Sequence, residues 1–379
     1  MFEKNMVVYL PYLMKGDKTN DYVINMIRIL EKRYMVTGEL AEMIDIPIMI
    51  KTKAVILNWV EEQLNNKMKL QLFIYKMCGT KIIWVFHNKF PHETRQGERL
   101  MRKNMEWLAN EADYILLHSK SSVNYIPNHR RNRRKALYVP HIMYERKTSS
   151  AQMDEIRRKY EIKEEDFVFS MFGFLKPYKH YEDGIEAFKA MKLKNAKLIV
   201  AGSALNAEYA RFLKAICEGN DDIILDIRYI PNQILDAVIE ISDVVVLPYD
   251  NASSMNSGVM IRAFSNARTV ITPNICMAKD IAQYRFIYRY KTDLKGAMTR
   301  AYKNGKKINA QMGEMAFEYV KKNNSAEDVS QKLDYILKDE VRRKERRERH
   351  EKRTCYITGH DSRRGDRGSS GGTGIHKED

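Results

Sequence analysis

The stretch DVVVLPYDNASSMNSGVMIRAFSNARTVIT, residues 243–272, contains a complete strand–loop–helix–strand unit. Residues 243–248 and 269–272 are short β-branched runs of the kind found in buried strands, and VMIRAFSNA between them has the composition of a helix. Small and polar residues fill the loop 248–258. The pattern predicts two parallel strands joined by a crossover helix, which is the repeating unit of α/β domains.

The same alternation of strand and helix extends outward along most of the chain. A polar segment, residues 142–166, separates two groups of five predicted strands, and Ser149 and Ser150 within it are placed to begin a charged helix. We therefore predict an α/β fold with two Rossmann-like domains. The predicted strands are 6–10, 54–58, 81–86, 114–118, 136–139, 167–172, 197–201, 223–226, 243–248 and 269–272.

The end of the folded region is marked by a capped amphipathic helix at residues 325–339. Ser325 is its expected N-cap, and Glu327 and Asp328 lie in its first turn. The residues that follow are almost free of apolar side chains, which predicts a disordered charged tail. The predicted organisation is a first domain at 1–150, a second domain at 151–324, a C-terminal helix at 325–340 and the tail at 341–379.

Composition narrows the class of protein. No apolar run reaches the eighteen or so residues needed to span a bilayer, and the N-terminus has no cleavage-site pattern. The four cysteines have neither metal-ligand nor disulfide-scaffold spacing. These features predict a cytoplasmic protein with free thiols.

The net charge of +16 is unevenly distributed. Residues 1–150 hold 25 Lys and Arg against 15 Asp and Glu, residues 151–340 hold 28 against 27, and residues 341–379 hold 12 against 7. A basic first domain beside a neutral second domain predicts that the first meets an anionic surface while the second holds a small ligand. A membrane and a nucleic acid both remain open as that surface.

Two segments of the first domain are candidates for a membrane-facing surface. Arg130, Arg131, Arg133 and Arg134 lie in one short loop, where their mutual repulsion favours an anionic partner. Residues 64–78 alternate lysines with Met68, Leu72 and Tyr75, which fits either an interfacial helix or, more commonly, a helix that packs on the core.

In parallel sheets, ligands bind at the carboxyl ends of the strands, so we expect functional residues in the loop after strand 81–86. It contains His87, Asn88, His92 and Glu93. A histidine here is suited to orient or deprotonate a sugar hydroxyl because its pKa lies near neutrality. The alternative is that the two histidines cap the strand and the next helix.

Loops of the second domain contain groups that are suited to an anion. Gly173 permits a tight turn, and Lys176 and Lys179 in the same loop are long enough to reach a phosphate. Gly202 allows close approach of a backbone. Lone loop lysines are commonly just solvated, so this reading stays open beside the functional one.

Within the loop 248–258, Tyr249, Asn256, Ser257 and Gly258 precede a helix. Free backbone N–H groups and the helix dipole favour a negative charge at such a position, which predicts a diphosphate site. An ordinary N-cap by Asn256 or Ser257 explains the same residues.

Taken together and in this order, seven segments resemble the retaining GT-B glycosyltransferases that include bacterial exopolysaccharide and capsule assembly enzymes. The resemblance extends over roughly residues 80–280. The segments are WVFHNKFPHE at 84–93, EADYILLHS at 111–119, VPHIMYE at 139–145, FGFLKPYKHYEDGIEAF at 172–188, LIVAG at 198–202, YIPNQILDAVIEISDVVVLPY at 229–249 and NSGVMIRAFSNARTVITP at 256–273.

This resemblance implies a hexosyltransferase. The second domain would bind a nucleotide sugar such as a UDP- or GDP-sugar, the first a glycan or polyprenyl-diphosphate-linked acceptor in surface polysaccharide synthesis, and the last helix would cross back to the first domain. His87 looks like the family's active-site histidine and Lys179 like the lysine that stabilises the departing diphosphate. Tyr229 is assigned to the donor side and His141 to the acceptor side.

Two departures from the family pattern concern charged residues. Phe174 stands where an arginine is usual, and the family's paired glutamates align with Ser254 and Arg262. We expect Arg262 to supply the missing charge toward the donor phosphates. The chain has no DxD motif, so the resemblance implies transfer without a metal or other cofactor.

Two other functions remain as alternatives. A GT-B sugar-nucleotide epimerase would share the donor loops and need no lipid acceptor. A nucleic-acid-binding protein would use the basic loop and the tail as phosphate contacts. The second alternative is disfavoured, because no RNP, zinc-finger or helix-turn-helix pattern is present and the donor-like loops would have no role.

Overall fold

The computed structural model of the chain describes residues 5–11, 20–89, 95–250 and 254–338. The strands in these ranges are β1 (Met6–Leu10), β2 (Met35–Thr37), β3 (Thr52–Asn58), β4 (Lys81–Val85), β5 (Tyr114–Leu117), β6 (Ala136–Tyr138), β7 (Phe167–Phe172), β8 (Ala196–Ala201), β9 (Ile223–Asp226), β10 (Val244–Val246), β11 (Thr269–Pro273) and β12 (Ile287–Tyr290). The helices are α1 (Asp21–Glu31), α2 (Ile46–Lys51), α3 (Asn66–Met77), α4 (Arg95–Glu111), α5 (His129–Asn132), α6 (Ser150–Lys159), α7 (Tyr181–Met191), α8 (Ala207–Cys217), α9 (Asn232–Glu240), α10 (Gly258–Ser265), α11 (Cys276–Asp280), α12 (Leu294–Asn323) and α13 (Ala326–Leu337).

The strands form two separate parallel sheets. The first sheet has the order β2-β1-β3-β4-β5-β6, and the second has the order β12-β11-β10-β7-β8-β9. Because every ladder is parallel, the carboxyl ends of the strands in each sheet share one edge. This arrangement confirms the predicted α/β fold with two Rossmann-like domains.

Each sheet contains one strand that the sequence pattern did not reveal. β2 and β12 have only three and four residues and lie at sheet edges, where each pairs with a single neighbour. An edge strand buries less apolar surface than a central one, so its sequence need not be a β-branched run. The central strands β4 and β7, in contrast, are buried almost throughout because helices cover both faces of a parallel sheet.

Helix α3 packs on the first core by the stripe that the sequence singled out. Leu72 and Tyr75 are buried there, so this stripe packs on the core and does not face a membrane. The opposite face exposes a different apolar row, with Leu70 49%, Phe73 55% and Met77 74% exposed. The apolar face that α3 turns outward is therefore this second row and not the stripe of Leu72 and Tyr75.

Local capping signals predicted two helix starts correctly. Ser149 forms a capping box with Gln152 at the start of α6. The Ser325 hydroxyl accepts a hydrogen bond from the Asp328 backbone N–H at the start of α13. Just before α13, the Asn324 side chain donates to the His141 carbonyl at 2.7 Å, which ties this segment to the first domain as predicted.

One compact unit of the chain extends through Lys332, and a second begins at Leu333, of which residues 333–338 are described. The predicted tail, 341–379, lies outside the described residues. Within the described ranges, no helix is both long enough and apolar enough to cross a bilayer.

Candidate functional site

Two glycine loops meet at the carboxyl edge of the second sheet. Gly173 follows β7 with φ +115°, and Gly202 follows β8 with φ +148°, both in a region that side-chain-bearing residues rarely adopt. A Cβ on Gly202 would overlap the carbonyl oxygen of Gly173. The close contact between the two loops therefore requires a glycine at position 202. This contact positions the backbone of the Gly173 loop, which carries Lys179.

That cation is Lys179, at the end of a 3₁₀ turn, Pro177–Lys179, which precedes α7. Its ammonium lies 5.9 Å from the centre of the Tyr249 ring and 3.6 Å from where a Gly173 Cβ would stand. No carboxylate or hydrogen-bond acceptor pairs with it among the described residues. Burial, with a smaller contribution from Lys176, lowers the pKa of Lys179 to about 8.

Lys176, the other lysine of this loop, lies over an exposed aromatic ring. Its ammonium lies 4.9 Å from the centre of the Phe174 ring, which is itself 45% exposed. Lys176 thus shares the loop and the charge of Lys179 but stacks on a solvent-facing ring.

Residues 256–258, at the start of α10, lie close to the first sheet. Ser257 caps α10, because its hydroxyl accepts from the Met260 N–H at 3.1 Å, so the ordinary N-cap reading holds for this residue. The Asn256 side chain donates to the carbonyl of His87 at 3.4 Å. A Cβ on Gly258 would lie 3.1 Å from the Tyr144 hydroxyl and 3.4 Å from His141 Nε2. This contact brings the start of α10 against the first domain.

Facing that loop is a cluster of rings at the carboxyl edge of the first sheet. His87, His118 and His141 surround Tyr22, with ring centres 5.4, 5.2 and 4.9 Å from the tyrosine ring. Trp59 stacks on His87, with centres 4.0 Å apart and planes at 18°. All three histidines are buried.

Hydrogen bonds fix which nitrogen of His87 carries its proton. The Asn58 amide donates through Nδ2 to the Leu10 carbonyl, so its Oδ1 is the acceptor that faces His87. His87 Nε2 therefore donates to Asn58 at 3.1 Å, and Nδ1 is left as a lone-pair acceptor. That nitrogen can accept a hydrogen bond from a hydroxyl group.

Burial also keeps the three imidazoles neutral. It lowers the pKa of His118 to about 4 and of His141 to about 3, and the pKa of His87 lies well below its ordinary value for the same reason, with further contributions from the other two. His118 donates through Nδ1 to the Val139 carbonyl and accepts through Nε2 from the Tyr22 hydroxyl. The cluster is thus uncharged at neutral pH.

Arg262, one turn into α10, occupies a different environment from the one the sequence predicted for it. Its guanidinium contacts Asp236 and, across the interface between the domains, Asp21, both at 2.8 Å. It also donates to the side chain and carbonyl of Asn232. In this structure Arg262 joins the two domains, and its predicted contact with donor phosphates stays a prediction.

A second contact between the domains is made by the carboxylate of Asp280. Asp280, at the end of α11, accepts hydrogen bonds from the backbone and hydroxyl of Ser121, the Lys120 N–H and the Ser119 hydroxyl. Together with Arg262, this contact holds the start of α10 against the ring cluster.

The structure brings most of the predicted site residues into one region. One group gathers around the Lys179 loop and the other around the start of α10, and the side chains of Tyr249 and Ser257 lie next to each other between them. The converging residues are His87, His141, Gly173, Lys176, Lys179, Gly202, Tyr249, Asn256, Ser257 and Gly258.

Two of the other predicted residues, Tyr229 and Asn88, are less closely tied to that region. Tyr229 follows β9 at the edge of the second sheet and is 42% exposed. Asn88 is partly exposed beside His87. His92 and Glu93 lie outside the described residues.

Sequence reasoning missed four members of the ring cluster, namely Tyr22, Asn58, Trp59 and His118. Two of them, Asn58 and Trp59, end or follow β3, and His118 follows β5. Their position at strand ends was the available signal. What could not be read was that residues far apart in the chain place their rings side by side.

Comparison with known proteins finds one matching family model. The family model for glycosyl transferases group 1 matches residues 152–318. No curated protein sequence gave a match.

Several solved structures share the fold at low identity. HepE from Anabaena has 13% identity and a TM-score of 0.68, over 88% of this chain and 100% of its own. A sucrose-phosphate synthase from Thermosynechococcus elongatus has 11% identity and a TM-score of 0.68, over 89% of this chain and 99% of its own. A glycosyltransferase from Rickettsia africae has 12% and 0.63, over 89% and 98%.

The family match lies on the second sheet and on the Lys179 and α10 loops, and the structural matches extend over both domains. Residues 152–318 thus match the family model of the group 1 glycosyl transferases, and the chain shares the two-domain GT-B fold with these solved structures.

Proposed function

We propose that this chain transfers a sugar from a nucleoside diphosphate donor to a hydroxyl group of a glycan or lipid-linked acceptor in surface polysaccharide synthesis. The proposal includes retention of the anomeric configuration and independence from a metal. The observation that carries it is Lys179, a partly buried ammonium without a carboxylate partner among the described residues, beside the Gly173 loop. Such a cation is suited to the negative charge that a leaving diphosphate gains.

A uridine nucleotide is the first donor to test. HepE has been solved with UDP and with UDP-glucose. In this chain the diphosphate would lie between Lys179 and the start of α10, where backbone N–H groups favour an anion. Thermal shift with UDP, GDP and ADP, then with their sugars, tests the choice, since a ligand at a hundred times its Kd stabilises by about 2.7 kcal/mol.

The reaction itself is tested by incubation of the protein with the stabilising nucleotide sugar and a panel of glycan and polyprenyl-diphosphate acceptors. The proposal expects a glycoside with the donor's anomeric configuration, identified by NMR, and an unchanged rate in EDTA. Conversion of the donor to another nucleotide-linked sugar, or release of free sugar without transfer, would support the epimerase instead.

His87 provides a residue-level test on the acceptor side. His87→Ala is expected to lower turnover by about a hundredfold or more, the usual scale for a group that accepts a proton, while nucleotide binding changes little. His87→Asn places an oxygen near Nδ1, whereas His87→Gln places its amide nearer Nε2. Steady-state kinetics should therefore show more activity in the Asn variant than in the Gln variant. A loss of nucleotide affinity without a loss of turnover would make His87 a donor-binding or structural residue.

We further propose that the first domain works at an anionic membrane surface. Arg130, Arg131, Arg133 and Arg134 are all exposed. Nearby, Lys135 lies close enough to Lys76 and Arg131 for their charges to lower the pKa of its ammonium, in addition to the larger effect of burial. Lys76 is on α3, the helix that exposes the Leu70, Phe73 and Met77 row. Cationic and apolar groups on one surface suit a lipid headgroup region.

Reversal of those four arginine charges is expected to weaken binding to anionic vesicles by at least about tenfold, since each contributes about 1 kcal/mol near such a surface. Nucleotide affinity should not change. Vesicle co-sedimentation at two salt concentrations measures the effect. The matched control reverses four exposed charges on α12, namely Lys295, Arg300, Lys303 and Lys307. Equal losses in both variants would reduce the effect to net charge, and no loss would end the membrane proposal.

A further inference from the structure

The indole of Trp59 has an unusual position that the donor site does not explain. Trp59 follows β3 with φ +46°, a backbone conformation that is a genuine outlier for a bulky side chain. Such strain persists where the surrounding structure imposes it, and it concentrates at ligand sites. The ring is nevertheless only partly buried.

One face of this indole is covered by a ring, and no ring covers the other face among the described residues. His87 stacks on the first face at 4.0 Å. The Tyr22 ring is 5.7 Å from Trp59 and 5.4 Å from His87, nearly equidistant, so it lies beside the stacked pair rather than on the second face. Within the described residues, no other ring stacks on Trp59.

The surroundings restrict what could occupy the second face. The groups in contact with the stacked pair, Tyr22, Asn58 and His118, carry no charge, because His118 is neutral and the other two do not ionise near pH 7. Among the described residues no cation contacts the stacked pair, so an anionic group held there would be desolvated without compensation from them. A pyranose ring has one face made of C–H groups with partial positive charge, which complements the negative face of an aromatic ring.

We infer that Trp59 is the platform of an acceptor subsite and stacks against a neutral sugar ring of the acceptor. The inference rests on the proposed function and names the acceptor class: a glycan, or the sugar of a lipid-linked glycan, rather than a bare lipid phosphate. The phosphate or lipid of such an acceptor lies away from the indole. Trp59 contributes to acceptor affinity, and His87 remains the residue next to the reacting hydroxyl.

Acceptor kinetics test this subsite. Glycine readily adopts the φ of +46° found at position 59, so Trp59→Gly is expected to keep the backbone of the loop and to remove only the indole. Its KM for the acceptor is expected to rise about tenfold or more with kcat and nucleotide affinity little changed, and Trp59→Phe is expected to recover most of the loss. An unchanged acceptor KM in Trp59→Gly, or an equal loss in Trp59→Phe, would overturn the inference.

A binding experiment separates this inference from the proposed transfer reaction. Methyl glycosides of glucose, galactose, mannose and N-acetylglucosamine are titrated into the Trp107→Phe protein with UDP present. Two tryptophans remain in this variant, and of these Trp59 is partly exposed and Trp84 is fully buried. A saturable change in tryptophan emission is expected with at least one glycoside, and its absence across the panel would overturn the subsite. Sugar binding without any transfer activity would instead overturn the proposed function alone.

Discussion

Lys179→Ala is expected to lower the turnover number for sugar transfer by about a hundred- to a thousandfold, with little change in nucleotide affinity. The leaving diphosphate gains negative charge as the glycosidic bond breaks, so a fixed cation contributes most in the transition state. Removal of one such electrostatic partner costs about 3–4 kcal/mol in comparable active sites. Single-turnover kinetics with a saturating donor measures this step directly.

Lys176→Ala is the matched control for that experiment. Lys176 carries the same charge in the same loop but lies over Phe174, whereas Lys179 lies beside Gly173 and Tyr249. We expect the Lys176 variant to lose far less activity. Equal losses would show that the loop attracts anions without a specific role for either lysine, and full activity of Lys179→Ala would remove it from the mechanism.

The lowered pKa of Lys179 predicts the pH dependence of kcat/KM, which reports on the free enzyme. The protonated form is the active one, so the contribution of Lys179 is complete well below pH 8 and is lost as the pH rises through about 8. Lys179→Arg should move this fall to higher pH, because a guanidinium stays charged. A fall near pH 8 that persists in Lys179→Arg would assign it to another group.

Arg262→Ala is expected to lower the free energy of unfolding by about 3–5 kcal/mol, the usual cost of removing one partner from a buried ion pair. The variant leaves Asp236, which is 1% exposed, without its cation. It also releases Asp21, the contact on the other domain. Chemical denaturation followed by circular dichroism measures the loss, with Asp21→Asn as the milder control because Asp236 keeps its partner.

The pH dependence of this loss distinguishes a buried charge from a general packing defect. Burial already raises the pKa of Asp236, and Arg262 opposes that rise. Without Arg262 the carboxyl takes up a proton more readily when folded, so the deficit should shrink as the pH is lowered from 7 toward 5. A pH-independent deficit would contradict this account. Unaltered stability with weakened nucleotide binding would favour the donor-phosphate role that the sequence predicted for Arg262.

The fold could be read from the sequence wherever burial on both faces of a sheet requires an apolar run. β4 and β7 are such strands, and the helix starts at Ser149 and Ser325 follow from local capping chemistry that needs no tertiary partner. β2 and β12 are short edge strands that escaped prediction, whereas the other two edge strands, β6 and β9, were predicted.

The site was only partly readable. Lys179, Gly173 and Gly258 stand directly after strands or before a helix, and the carboxyl edge of a parallel sheet gathers such positions by topology alone. The partners of Arg262 were not readable, since Asp21 and Asp236 lie 241 and 26 residues away from it. Position 262 alone suggested a ligand contact, whereas the folded chain supplies Asp236 from the same domain and Asp21 from across the interface.

The sequence by itself determined two parallel α/β domains, the loops that carry Lys179 and His87, and the uneven distribution of charge, because these depend on periodicity, strand ends and composition. The tertiary structure alone decided that the His87 imidazole is neutral and donates through Nε2, that Trp59 stacks on it, and that the apolar row of α3 facing outward is Leu70, Phe73 and Met77. Protonation state and exposure depend on which groups exclude water from a side chain, and those groups come from distant parts of the chain.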